Sequence, residues 1–368
     1  MLAADDRSDS LATVARVLGL HTAAWLASDQ HDYERATQLF DRSMPLRRAL
    51  GETEGETQRL GNAARQARAA GQYGRATALF EEVLAQHRAM GNRGSASSGG
   101  LGNSLYELAL VCREQGDFAR ASALFEECLQ LHRELGDREG IAQGLMGLGD
   151  VARDQGDASG TRKYCQQSLA IARDLGMQWA LGFSLNNLAL AAYLEGDLTH
   201  ALVLVDESLS VFRDLQADAS RAEVLITLGK IVQAQGDDVA AYAALTEALR
   251  LAEALGPRLM VAAALEGLAS VVVAQEHAEL AARLLAATSA LRVQMGTPVR
   301  PVDHAAVDQS LAIGRAALGA DAFAAVWAEG QALRLEQILN TLPSATAFSI
   351  SAAPLDTLPS TTNRPPPA

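Results

Sequence analysis

A leucine followed four residues later by alanine or glycine recurs seven times along the chain. The pairs are Leu20 and Ala24, Leu60 and Ala64, Leu105 and Ala109, Leu145 and Gly149, Leu185 and Ala189, Leu225 and Gly229, and Leu265 and Ala269. Residues four apart share one helical face, and the small second member lets a neighbouring helix approach closely. Each pair leads into a polar turn related to G-D-x-x-x-A: HDYERA at His31, GQYGRA at Gly71, GDFARA at Gly116, GDASGT at Gly156, GDLTHA at Gly196, GDDVAA at Gly236 and EHAELA at Glu276. The starts are spaced 40, 45, 40, 40, 40 and 40 residues apart. A small residue returns five positions later, from Ala36 and Ala76 to Ala281, with Thr161 in the fourth copy. Nine positions on stands a large one: Phe40, Phe80, Phe125, Val205, Leu245 and Leu285, with Cys165 as the exception.

This pattern predicts units of two helices. Glycine ends the first helix in a left-handed conformation, and aspartate caps the second. A further glycine closes most units, at Gly51, Gly91, Gly136, Gly176, Gly256 and Gly296, with Gln216 in its place in the fifth. A fixed period of this length marks a solenoid, in which each unit buries its apolar face on its neighbour. Units start near residues 17, 57, 102, 142, 182, 222 and 262. The fourth is weak, with Gly160 and Thr161 inside its second helix, and the seventh has lost its turn glycine.

On Leu145, Leu148-Gly149, Gly156-Asp157 and the Ala121-to-Phe125 spacing, the array resembles the tetratricopeptide repeat over about residues 11–296. The usual unit of that family is about 34 residues; this one is longer, with the extra turns in the second helix and its exit loop. The resemblance implies an all-α, right-handed superhelical solenoid with a concave groove lined by the first helices.

Three interruptions shape the expected domain organisation. NRGSASSGG, within the insertion 92–100, reads as a loosened loop between units. It lacks the lysine and the preceding strand that a phosphate-binding loop needs. After Gly296 the period fails, and residues 297–342 predict a capping pair over about 303–318 and 321–342, with Asp303 as the cap of the first. Phe323, Val326, Trp327 and Leu333 lie at helical spacing there. Residues 343–368 hold six of the ten prolines and predict a disordered tail.

Composition narrows the function. The apolar mass is mostly Ala and Leu and aromatics are only 5%, which favours helices throughout. A net charge of −13 argues against binding phosphate backbones or anionic lipid. The three cysteines, Cys112, Cys128 and Cys165, form no CxxC pair and suggest reduced thiols in the cytoplasm. MLAADDRSDS is acidic where a signal peptide would be basic, and no apolar run reaches the length of a membrane span.

Chemistry-bearing motifs are missing. No Walker A, dinucleotide fingerprint, HExxH or GxSxG context occurs. His87 and His132 are repeat-equivalent, but no carboxylate or cysteine motif completes a metal site, so packing histidines are expected. The carboxylates of FEE at Phe80–Glu82 and Phe125–Glu127 read as solubility and helix-dipole features. Tyr106, Tyr193 and Trp179 are isolated in the sequence. No catalytic residue, cofactor or metal is expected. An enzyme site built across units, such as Asp150 with Lys230, is the remotest reading.

The groove positions of the family fall on Asn103, Tyr106, Leu110 and Arg113 in unit three, and on Gln143, Met146, Asp150 and Arg153 in unit four. In unit five they fall on Phe183, Asn186, Leu190 and Tyr193, and in unit six on Glu223, Ile226, Lys230 and Gln233. The mix, apolar in the middle and polar at the edges, suits a peptide surface. Arg68, Arg113 and Arg153 are repeat-equivalent and form either an anion anchor or ion pairs with neighbours such as Glu114 and Asp154. The basic clamp of chaperone-binding members is absent, since its positions hold Gly61, Arg65 and Glu107.

A narrower resemblance rests on the ALFEE-type second helices and on ADAFAAVWAEGQALRLEQIL, with Phe323 to Gly330 as its F-x-x-x-W-x-x-G segment. These are similar to the C-terminal half of LuxR-type and related signal-transduction ATPase regulators of bacteria. That likeness implies a sensing and oligomerisation array; the ATPase and helix-turn-helix activities do not carry over. The expected function is a non-enzymatic scaffold or sensor that binds a peptide, a partner domain or a small inducer in its groove, without direct contact to nucleic acid or membrane and with self-association open. The alternative is a fragment or split component of such a regulator.

Overall fold

The computed structural model describes residues 2–29, 33–49, 54–91, 100–255 and 258–343. Among these residues there are seventeen helices and no strand. Seven consecutive pairs make the array: α1 (Leu2–Asp29) with α2 (Tyr33–Ala49), α3 (Glu54–Ala69) with α4 (Tyr73–Ala89), α5 (Leu101–Glu114) with α6 (Phe118–Leu135), α7 (Arg138–Asp154) with α8 (Ala158–Leu175), α9 (Gln178–Leu194) with α10 (Leu198–Asp214), α11 (Asp218–Ala234) with α12 (Asp238–Leu255), and α13 (Arg258–Ala274) with α14 (Ala278–Met295). Three helices follow: α15 (Pro301–Leu318), α16 (Ala320–Ala332) and α17 (Leu335–Thr341).

The turn chemistry explains the pairing. Asp117, Asp157, Asp197 and Asp237 each accept a hydrogen bond from the amide three residues on, which starts the second helix. Glycines at the turns take the left-handed conformation. Where the sequence has lost them, Glu276 and Gln216 adopt it instead, at φ 65° and 53°. They are the two non-glycine residues with positive φ among the described residues. The fourth unit is as complete as its neighbours, because Gly160 supplies the amide that Asp157 caps.

Packing follows the repeat. Phe80, Phe125, Val205 and Leu245, nine residues into their motifs, are fully buried. In α7 the Phe125 ring lies against Gly147, and Cys165, which stands where other units carry a large side chain, has its Sγ against Gly149. Successive first helices α5, α7, α9, α11 and α13 touch one another and form the inner layer, and the second helices fan outward.

The array curls until its end meets its earlier units. Met295 lies against Gly71, Pro298 against Gly116 and Val302 against Gly156, three successive turns between first and second helices. Met295 and Ala262 join the same apolar core as Tyr73, Phe80 and Leu105.

Two expectations about the C-terminal helices are corrected. The helix expected over 321–342 is broken at Leu333 and Arg334, which are extended. The break turns α17 back, so that Ile338 buries in the core of the later units and Tyr242 Oη donates to the Pro343 carbonyl at 2.7 Å. Asp303 does not cap α15. That helix starts at Pro301 with Arg300 in the capping position, since proline's fixed φ suits the first helical residue. The expected loop at 92–100 falls almost wholly, and the disordered tail from 344 on wholly, outside the described residues, as do His31, Gly51 and Gly256.

Candidate functional site

The inner face of units three to six divides lengthwise. One half, toward the N-terminal ends of the first helices, is only partly covered. Asn103, Tyr106, Leu110, Gln143, Met146 and Phe183 are each half-buried. Tyr106 meets Phe125 edge-on at 5.4 Å. Trp179, isolated in the sequence, is clustered in space: its ring stacks on Phe183 at 6.1 Å and meets Phe212 at 5.7 Å. Leu190 and Ile226 are buried and belong to the packing beneath this face.

Asn186 lies between them. Its side chain is buried, and neither amide atom has a hydrogen-bond partner among the described residues. A buried amide in that condition costs on the order of 1–3 kcal/mol.

The other half, at the C-terminal ends of the first helices, is a closed charge network. Arg153 donates to Asn187 Oδ1 at 2.7 Å and to Glu223 at 2.8 Å, and pairs with Asp154 at 3.0 Å. Asn187 in turn donates to Asp150 at 2.6 Å. Arg113 approaches Asp150 at 3.1 Å and Asp154 at 3.6 Å. From beyond the array Arg300 reaches Asp154 at 3.5 Å and Asp303 at 2.8 Å, and Lys230 donates to Asp303. Tyr193 borders this corner; burial and then the Asp303 charge raise its hydroxyl pKa.

Electrostatics match the geometry. Burial pushes the Asp154 carboxyl up, but Arg153, Arg113 and Arg300 together pull it below its ordinary value. Asp303 is likewise lowered, burial being outweighed by Arg300 and Lys230. Asp150 is raised, because burial exceeds the pull of Arg113 and Arg153.

The three repeat-equivalent arginines are therefore ion-paired. Arg68 forks onto Glu114 at 2.6 and 2.8 Å, and Arg113 and Arg153 hold the network above. Arg65 bonds Glu107 at 2.7 Å. Asp150 and Lys230 each have other partners, Arg113 with Asn187 and Asp303 respectively. His87 bonds Ser104 at 2.6 Å and His132 packs by Asp137 at 3.1 Å; no group of metal-ligating side chains occurs among the described residues. All three cysteines are free and buried, with Cys128 and Cys165 pushed by burial up to about 12. No helix of the described residues is long and apolar enough to cross a membrane.

Sequence reasoning missed Asn187, which ties Asp150 to Arg153, and gave Arg300 no role. The signal for Arg300 was its place three residues before Asp303 in the prolines' break. For Asn187 the repeat gave no signal.

Comparison with known proteins agrees with this geometry. Residues 100–174, units three and four, match the tetratricopeptide repeat family. A solved Rap protein in complex with competence and sporulation factor superposes with a TM-score of 0.60, at 13% identity, over 94% of this chain and 89% of its own. A signal-transduction ATPase with a tetratricopeptide repeat sensor from Pyrococcus horikoshii gives 0.50 at 14% identity, over 78% of this chain and 42% of that one. Identities this low speak for the fold alone. Curated proteins give no sequence match. Residues 100–174 carry the tetratricopeptide repeat, and the described residues as a whole form an all-α solenoid of helix pairs.

Proposed function

We propose that the protein is a non-catalytic signalling scaffold of the cytoplasm that binds a peptide or an extended segment of a partner protein along the inner face of units three to six. One observation carries this reading: a half-buried, partly apolar strip of Tyr106, Met146 and Phe183 runs beside an ion-paired charge network. Apolar anchors beside fixed polar groups are what a peptide surface needs. Because the arginines are already paired, they do not form a free anion anchor, and the net charge of −13 disfavours nucleic acid. The Rap likeness supports the reading, since a solenoid of this shape there holds a bound factor.

Peptide display against the full chain tests this, with Tyr106→Ala/Met146→Ala/Phe183→Ala as the control. Peptides selected on the wild type should bind the triple variant at least tenfold more weakly while its helix content is unchanged. Selected peptides indifferent to the triple variant would place binding elsewhere.

A second reading, a sensor array working with a signal-transduction ATPase, is favoured by the overlay on the Pyrococcus horikoshii protein. A nucleotide-binding domain encoded adjacent to this chain would support it; unrelated neighbouring genes would count against it.

A further inference from the structure

The stretch after the last repeat packs on the array that carries it. From Gly296 to Arg300 the chain leaves the helical state, and Arg300 is extended at φ −69° and ψ 142°. It crosses the turns of three successive units in register. A methyl group on Gly71 would lie 3.2 Å from Met295 Cγ, one on Gly116 2.5 Å from Pro298 Cγ, and one on Gly156 3.9 Å from Val302 Cβ. Met295 ends α14 and Val302 lies in the first turn of α15, so the extended stretch itself meets the array through Pro298 at Gly116 and is held at both ends by helices that touch the neighbouring turns.

Charged side chains at its end and in the first turn of α15 tie it to the inner face. Arg300 enters the network at Asp154, and Asp303 takes Lys230. The two sites differ in what they would keep without this segment. Asp154 would retain Arg113 and Arg153, whereas Asp303 is the one ion-pair partner of Lys230 among the described residues. Removal of the segment would leave the Lys230 ammonium without its carboxylate, while Asp154 keeps two arginines. A carboxylate returned to Lys230 and a cation returned to Asp154 would restore the pairing that the segment supplies.

We propose that residues 296–303 are an internal occupant of the groove rim, and that the partner is a peptide or loop with a cationic side chain three residues before a carboxylate, which displaces Arg300 and Asp303. The proposal rests on the inner face being the binding surface, and it adds the partner's charge pattern and a mode of regulation. A binder must compete with the tethered segment, whose effective concentration is of the millimolar order for a short link. Affinity in the intact chain is therefore set as much by how firmly the rim is occupied as by the half-buried strip beside it.

The test uses a labelled peptide of residues 297–304, TPVRPVDH, titrated by fluorescence anisotropy against three forms of the full chain. Arg300→Ala/Asp303→Ala should bind it at least tenfold more tightly than the wild type, because the internal competitor is weakened. Addition of Lys230→Glu should abolish the gain. In Gly156→Cys/Val302→Cys, oxidation should fasten the segment down, since the 3.9 Å separation lies within the range a disulfide bridges. Peptide binding should fall on oxidation and return on reduction of the same sample, which holds the fold constant. Equal binding by wild type and Arg300→Ala/Asp303→Ala, absence of binding to both, or binding indifferent to oxidation would overturn internal competition. Display-selected peptides that still depend on Tyr106, Met146 and Phe183 would leave the groove reading standing in those cases; their failure as well would remove both.

Discussion

Arginine–carboxylate pairs join units on both faces of the solenoid, yet the two faces use them differently. On the outer face Arg88 meets Glu127 at 2.7 Å, Arg120 meets Glu81 at 2.6 Å and Arg173 meets Glu207 at 3.1 Å. These link neighbouring units, 34 to 39 residues apart in sequence. On the inner face Arg153 reaches Glu223, 70 residues away and two units on. The difference is curvature. The first helices converge on the inside, so charges from alternate units come within reach of each other and of Arg300. The same convergence excludes water: the Arg153 side chain is 5% exposed and that of Arg88 51%. Equal chemistry thus has unequal weight, because exposed pairs are screened and buried ones are not.

The largest expected effect is at the centre of the inner network. Arg153→Leu leaves Asp150, Asp154 and Glu223 short of their common cation and should lower stability by about 3–5 kcal/mol in urea unfolding. A loss no greater than that of Arg120→Ala on the outer face would erase the distinction between the faces.

Acid should act on the inner face next. The carboxyls of Asp154 and Asp303 are lowered in the folded state. Their stabilisation is present above the unfolded carboxylate value near 4 and is lost as pH falls through the folded values. Asp150 is raised and works in the opposite sense: its contribution is fully present below the unfolded value and lost as pH rises through the folded one. The net inner effect is therefore a loss of stability toward low pH. Asp303→Asn should flatten the pH dependence of the unfolding midpoint below pH 4 relative to the wild type. An unchanged pH dependence in that variant would contradict the burial argument.

Backbone effects should be smaller and independent of face. Glu276→Gly and Gln216→Gly replace left-handed non-glycine residues and should each raise stability by about 1 kcal/mol. Calorimetry of the two single variants checks this, and a gain that disappears in 1 M salt would point to lost charge rather than relieved backbone.

The smallest effect belongs to the outer ladder. Arg88→Ala should change stability by at most ~1 kcal/mol, and high salt should remove most of the difference.

The repeat made the fold legible, because Leu105, Ala109, Gly116, Asp117 and Phe125 recur where geometry demands one residue type. The same logic hid the site. Asn187, Arg300 and Asp303 do not recur, and their roles come from curvature, which spacing along the chain does not encode. The groove positions could be placed on the first helices in advance. Their division into a half-buried strip at Tyr106, Met146 and Phe183 and a sealed network at Asp150 and Arg153 depended on where the segment after Gly296 lies. Likewise the break at Leu333 follows from the apolar bed available to Ile338, which no local signal in QALRLEQIL shows.

The contact of Met295 with Gly71 has a consequence for how the molecule comes apart. A linear repeat array has stability that sums over neighbouring interfaces, so it frays from its ends and its units unfold semi-independently. Here the seventh unit is clasped to the second, and the stretch up to Val302 is sealed against the third and fourth. The array is a closed loop of interactions rather than an open row. Loosening one unit in its middle strains the clasp, and release of the clasp frees both ends together. Unfolding across units two to seven should accordingly be more cooperative than in an open row of the same units.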